Sequence, residues 1–301
     1  MTDSYIKKQE QLMRLASYCS VGTALLLVVV KIISFFMTNS LAVLSSLMDS
    51  GLDLGASIVS MIAVRQALIP ADKEHRFGHC KAEALGGFIQ GVLIFLSACF
   101  LFFETIEHLI SPVKLEKLGV GIGVMLISIV VSVALIRFQH FVIKRTNSLS
   151  IIADNAHYTG DVIMNTGVII SMLFSYLLGW GWLDTVFAAV VCCYLFINAF
   201  GIIKSVSKVL MDEELPPDIR KQIKQIVMEN KDVKGVRDLR TRNAGIKSFI
   251  QFTILLDKNM NLTQAHELCT LLEIEVEKAI TKCEVFIHAE PKEQENGTEQ
   301  T

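Results

Sequence analysis

Four stretches of this 301-residue chain, residues 84–103, 118–136, 162–183 and 185–203, contain no charged side chain at all. Crossing about 30 Å of hydrocarbon takes roughly 20 helical residues, and a helix can do it because it hydrogen-bonds its own backbone. Two further apolar stretches are interrupted, 15–37 by Lys31 and 41–64 by Asp49 and Asp53. The pattern predicts a polytopic α-helical membrane protein with six transmembrane helices near 14–37, 41–64, 82–108, 118–141, 148–177 and 181–206. Short breaks at 38–40 and 179–182 read as turns between antiparallel neighbours, with Trp180 and Trp182 suited to the interface. The spacings Gly87-x-x-x-Gly91 and Gly119-x-x-x-Gly123 let helices approach closely.

Charge sorts the chain into two solvents. Asp, Glu, Lys and Arg number 28 in residues 1–211 and 30 in the last 90, so the first part reads as embedded in the lipid bilayer and the second as aqueous. Lys7, Lys8, Arg14, Arg65, Lys73, Arg76, Lys81, Arg137, Lys144, Arg145, Lys204 and Lys208 fall on one side, against Lys114 and Lys117 on the other. By the positive-inside rule both termini are cytoplasmic, as expected for a multi-pass cell (inner) membrane protein. The first apolar stretch is too long for a signal peptide and no small-residue cleavage pattern follows it. A net charge of −2 argues against nucleic acid as a partner. Seven cysteines, an odd number without C-x-x-C spacing, fit thiols in a reducing compartment.

An ionisable group at mid-membrane costs roughly 2.5–3.5 kcal/mol on insertion scales and marks a pathway or a site by default. The second helix carries Asp49 and Asp53, the fifth His157 and Asp161. Each pair is spaced i, i+4 and so lies on one face. Facing each other, the two helices would converge three carboxylates and an imidazole, a donor set that suits zinc, with iron(II), cadmium and cobalt as relatives. A single intramembrane Asp is equally explained by an interhelical hydrogen bond; two matched pairs are harder to explain so. Lys31 is the one cation in mid-span. Asp154 and Asn165 extend the same face of helix five without a ligand role. In the loop 70–83, Asp72, His75 and His79 could hold a cation, although on spacing alone a solvated basic loop explains them better.

Asp49-x-x-x-Asp53, His157-x-x-x-Asp161, the loop His75-Arg76-Phe77-Gly78-His79 and the six-helix-plus-tail plan together resemble the cation diffusion facilitator family, most closely its bacterial zinc and iron efflux members. The resemblance spans about residues 10–291. It implies a transport site at Asp49, Asp53, His157 and Asp161, a loop site at Asp72, His75 and His79, and an ion pair between Lys81 and Asp212 at the membrane boundary. It also implies a homodimer that exchanges a divalent metal for protons. No prosthetic group is expected; the metal is substrate and possible regulatory ligand.

Beyond residue 211 the pattern becomes soluble. Pro216-Pro217-Asp218 starts a helix. Strands at 233–241 and 246–256 flank the turn Asn243-Ala244-Gly245. An amphipathic helix at 262–280 and a short strand at 284–288 follow. The order αββαβ suits a small cytoplasmic α+β domain, which resembles the family's metallochaperone-like tail. The organisation expected is 1–211 transmembrane transport domain, 212–291 regulatory and dimerisation domain, and 292–301 disordered. In the tail the resemblance implies ligand places at His266, His288 and Glu290, whereas Arg237 and Thr253 replace two family histidines, so the tail departs from the full metal site at two positions.

The resulting expectation is a divalent metal efflux transporter working as a metal/proton antiporter by alternating access, not an enzyme. A membrane metalloprotease would need a signature such as H-E-x-x-H, which is absent. A proton-coupled exporter of organic cations would leave His157 and the loop histidines unused. A membrane scaffold with an active tail would not need the intramembrane ligands.

Overall fold

The computed structural model describes residues 2–38, 41–110, 118–178, 183–280 and 282–292. Six long helices are followed by a small α+β unit: α1 Thr2–Thr38, α2 Leu41–Ala67, α3 Lys81–Ile110, α4 Leu118–Thr146, α5 Leu149–Leu178, α6 Leu183–Leu210, α7 Pro217–Met228, β1 Gly235–Asn243, β2 Ser248–Leu256, α8 Leu262–Ala279 and β3 Cys283–Pro291. The chain divides into two units, Met1–Ser207 and Lys208–Thr301. Of the turn expected at 38–40, Thr38 ends α1; residues 39–40, the turn expected at 179–182, the loop lysines 114 and 117, and the tail beyond residue 292 lie outside the described residues.

Five of the six long helices, counted over the described residues, are long and apolar enough to cross a membrane. The exception is α5, whose described part is interrupted by Asp154, Asn155, His157, Asp161 and Asn165. Large apolar side chains, among them Phe36, Phe100, Phe103, Ile197 and Phe200, stand exposed on the bundle surface. In water this would be an aggregation hazard; in a bilayer it is the lipid face.

Several helices extend past the apolar spans expected for them. α1 starts at Thr2 rather than near residue 14, because Gln9, Met13, Ala16, Ser17 and Ser20 form a buried stripe at helical spacing. Gln9 Nε2 donates to the Arg145 carbonyl, tying that extension to the end of α4 (2.7 Å). α5 is the hub, packed against α1, α2, α3 and α4. Gly160 brings it against Leu195 of α6, where an added Cβ would lie 2.7 Å from Cδ2. Of the two small-residue spacings, Gly87 and Gly91 pack on Val206 and Ile203 of α6, whereas Gly123 faces open space.

In the second unit β2 is central, antiparallel to β1 and parallel to β3. α8 makes the crossover that a parallel pair requires. Ile250, Phe252, Ile254 and Leu256 alternate onto one face of β2 and pack against Ile223 and Val227 of α7 and Leu268, Leu272 and Val276 of α8. β1 carries one extra residue between Arg237 and Arg240. Asp238 there adopts φ +50°, a left-handed conformation that Asp tolerates better than most residues. α8 begins with a capping box between Asn261 and Gln264. The order αββαβ is as expected, with β3 running to Pro291 rather than stopping at residue 288, since its register with β2 continues to Leu256.

Candidate metal sites

The α2 and α5 faces meet at mid-helix. His157 Nε2 lies 2.8 Å from Asp53 Oδ1 and 3.7 Å from Asp161 Oδ2. One donor atom from each of the three residues falls within 4.8 Å of the others, and all three side chains are partly buried. Ligands of a tetrahedral M²⁺ at roughly 2.0–2.1 Å stand about 3.4 Å apart, so the observed spacings bracket those of a bound small cation. Asp49 sits one turn from Asp53 on α2, exposed on the surface of the bundle and outside this three-residue group. Four residues advance a helix about 6 Å and overshoot a full turn by roughly 40°, an offset that still lets His157 and Asp161 of α5 both reach the group while only Asp53 of the α2 pair does.

A buried polar layer supports the site. Asp154, three residues before His157, is 1% exposed and accepts from Gln139 Nε2 of α4 at 2.6 Å and Gln90 Nε2 of α3 at 3.4 Å. Gln90 also donates to the Ala56 carbonyl of α2 (3.2 Å), and Asn155 Nδ2 donates to Gln139 Oε1 (3.2 Å). Beside it Ser57 is 3.0 Å from both the Ser20 hydroxyl and the Tyr158 hydroxyl, and Tyr158 donates to the Ser20 carbonyl (3.2 Å). Five helices, α1 to α5, are thereby tied together at the level just beyond the candidate ligands. Buried amides and carboxylates without such partners would each cost about 1–3 kcal/mol. Sequence reading missed this layer, although Gln90 and Gln139, amides within otherwise apolar helices, were its signal.

The loop residues also converge. Asp72 Oδ1 is 3.5 Å from His75 Nδ1 and Asp72 Oδ2 is 3.4 Å from His79 Nε2. The two imidazole rings lie with centroids 4.4 Å apart, tilted at 45° to each other. Gly78 at φ +81° turns the chain so that His79 comes back over Asp72. The backbone amides of His75 (2.6 Å) and Glu74 (2.9 Å) donate to Asp72 Oδ1. The His75 amide bond chiefly holds the Asp72 carboxyl below the usual carboxylate range, with the Glu74 amide and the two histidines adding to it against partial desolvation. Asp72 is therefore an anion at neutral pH.

In the tail, His288 and Glu290 lie on one face of β3, Nε2 to Oε1 3.6 Å, while His266 stands exposed on α8. Among the described residues neither metal-capable group of three includes His266, His288 or Glu290. Arg237, Thr253 and His288 are side by side across the three strands in register. The two missing histidines would thus have completed a row with His288. Asp212 reaches Arg242 (3.5 Å) within its own unit, and Lys81 opens α3 in the other.

Comparison with known proteins matches residues 17–211 to the cation efflux transmembrane domain and residues 215–292 to the cation efflux protein cytoplasmic domain. The chain is 39% identical over 286 residues to the cation-efflux pump FieF of Shewanella oneidensis, covering 95% of this chain and 96% of that protein. It is 37% identical over 276 residues to FieF of Escherichia fergusonii, covering 92% of each. With protein p34 of Rickettsia rickettsii it shares 36% over 284 residues, 94% of this chain and 93% of that one. Six long helices with a polar cluster between α2 and α5, an α+β tail and family matches over nearly the whole length agree: the chain belongs to the cation efflux family, the cation diffusion facilitators, and is a multi-pass membrane transporter rather than an enzyme.

Proposed function

We propose that the protein exports a divalent metal cation, zinc first and iron(II), cadmium or cobalt as relatives, in exchange for protons. The observation that carries this reading is the convergence of Asp53, His157 and Asp161 from two helices in the membrane unit. Two carboxylates and an imidazole are hard-to-borderline donors without thiolate, the set that suits zinc and its neighbours. Asp49, one turn from Asp53, completes a four-ligand site when a small rotation of α2 turns it inward. All these ligands bind metal only when deprotonated, so protons and metal compete for the same atoms and the exchange needs no separate proton site.

The transporter works by alternating access as a homodimer in the inner membrane, with both termini cytoplasmic. Its 215–292 segment, matched to the family's cytoplasmic domain, contributes to pairing. Asp72, His75 and His79 form a second station in the loop between α2 and α3. The name of the FieF relatives, cation-efflux pumps, supports the direction of flux.

The test is uptake of Zn²⁺ into inverted vesicles carrying the protein under an imposed pH gradient. Asp53→Ala and Asp161→Ala each abolish uptake while the protein still reaches the membrane. Unchanged uptake in either variant would remove that residue from the mechanism, and uptake indifferent to the pH gradient would remove the proton exchange.

A further inference from the structure

Between Arg14 and Arg65 the chain has one basic side chain, Lys31, inside the apolar span of α1. It lies seven residues from the end of α1, about 10 Å along the axis. A long side chain so placed could reach toward the interface. Instead Lys31 Nζ turns inward onto α2, donating to the Ser46 carbonyl at 2.9 Å and to the Ser50 hydroxyl at 2.6 Å. Ser50 is 1% exposed and sits between Asp49 and Asp53 in the α2 sequence. A carbonyl and a hydroxyl hold an ammonium in place without neutralising it. The acidic groups whose charges act on Lys31 are Asp53, Asp161 and Asp49, members of the proposed ligand set. An ammonium inside a cation transporter, bonded to the stretch of α2 that carries two of the cation's proposed ligands, is an expensive way to fill space that Leu or Met would fill more cheaply.

We propose that Lys31 is the tethered counter-ion of the α2–α5 site. This rests on the reading of that site as the metal site. Between cargo loads the ammonium balances part of the carboxylate charge, so the site survives in low dielectric without metal. With M²⁺ bound, the same fixed charge repels it, because Lys31 cannot ligate and cannot leave. Lys31 thereby sets affinity below the maximum the ligands could reach and favours release, the property a pump needs and a storage site does not. Ser46 and Ser50 hold the ammonium at its distance, close enough to act through space and bonded away from the ligand atoms.

The experiment uses purified full-length protein, wild type and Lys31→Met, Lys31→Gln and Lys31→Arg. Zn²⁺ binding is measured by competition with a chromophoric chelator, taking the component abolished by Asp161→Ala, and Zn²⁺ transport is followed in proteoliposomes. Lys31→Met and Lys31→Gln bind Zn²⁺ on the order of tenfold to a hundredfold tighter than wild type, with both KM and kcat lowered. Lys31→Arg, which keeps the charge, stays close to wild type. A merely structural role would lower stability without tightening binding. Unchanged or weaker binding in Lys31→Met and Lys31→Gln overturns the proposal, as does failure of both to insert and fold while Lys31→Arg succeeds with altered affinity. Should wild type itself show no component sensitive to Asp161→Ala, the metal-site reading fails first.

Discussion

His157 is the pivot of the α2–α5 cluster, since its Nε2 faces Asp53 at 2.8 Å and Asp161 at 3.7 Å. His157→Ala removes the one nitrogen donor of the three, and zinc affinity of this site falls by more than the roughly 10–100-fold that loss of an outer partner costs. Chelator competition measures it; a smaller loss would show that the carboxylates bind without the imidazole. Two tail cysteines illustrate chemistry that is switched off. Burial, with Glu277 adding to it, pushes the Cys283 thiol up to about 11, and burial likewise raises Cys269. With that value only about one Cys283 thiol in three thousand is ionised near pH 7.5. Maleimide labelling of the native protein therefore spares Cys283 and Cys269 until the tail is unfolded, which mass spectrometry of labelled peptides checks. Rapid labelling of the folded protein would contradict it.

At the scale of elements, α5 is both the carrier of two candidate ligands, His157 and Asp161, and the hub of the bundle, and Asp154 ties it to α3 and α4. Asp154→Ala leaves buried amides of Gln90 and Gln139 short of an acceptor at about 1–3 kcal/mol each, lowering the thermal midpoint and weakening transport. The double variant Asp154→Asn with Gln139→Glu exchanges amide and carboxylate between α5 and α4, so the same atoms pair in the opposite sense. Recovery of stability and transport in the double variant is expected. A double variant as impaired as Asp154→Ala would mean that the charge must sit on α5. The packing of α3 on α6 depends on the absence of a side chain. At Gly91 a Cβ would lie 2.9 Å from Ile203 Cγ1, so Gly91→Val overpacks the contact by about 1–3 kcal/mol, whereas Gly123→Val, with nothing within 4 Å, is near neutral. Thermal unfolding in detergent separates the two.

On the scale of the whole molecule, two units answer to two solvents. The Lys208–Thr301 unit has its own core around Ile223, Phe252, Leu268 and Leu272, so it folds in isolation, and Leu272→Ala destabilises it by about 2–5 kcal/mol in urea unfolding. Non-cooperative unfolding of the isolated unit would refute its independence. Much of this plan was legible in the sequence. Charge-free runs, the i, i+4 pairs of candidate ligands and the αββαβ order are local properties of composition and period, and they survive whatever the rest of the chain does. The sequence by itself therefore determined how many long helices form, which side chains are candidate metal ligands, and that Arg237 and Thr253 stand where the family resemblance implies histidines. The tertiary structure alone decided which of them meet. Asp53 joins His157 and Asp161 while Asp49, about 40° further round the helix, lies outside the group. Gly87 and Gly91 bury against α6 while Gly123 does not, and Gln90, Gln139 and Lys31 find partners on other helices. Those outcomes depend on each helix's rotation and depth against its neighbours, which side-chain packing sets and a periodic pattern leaves free.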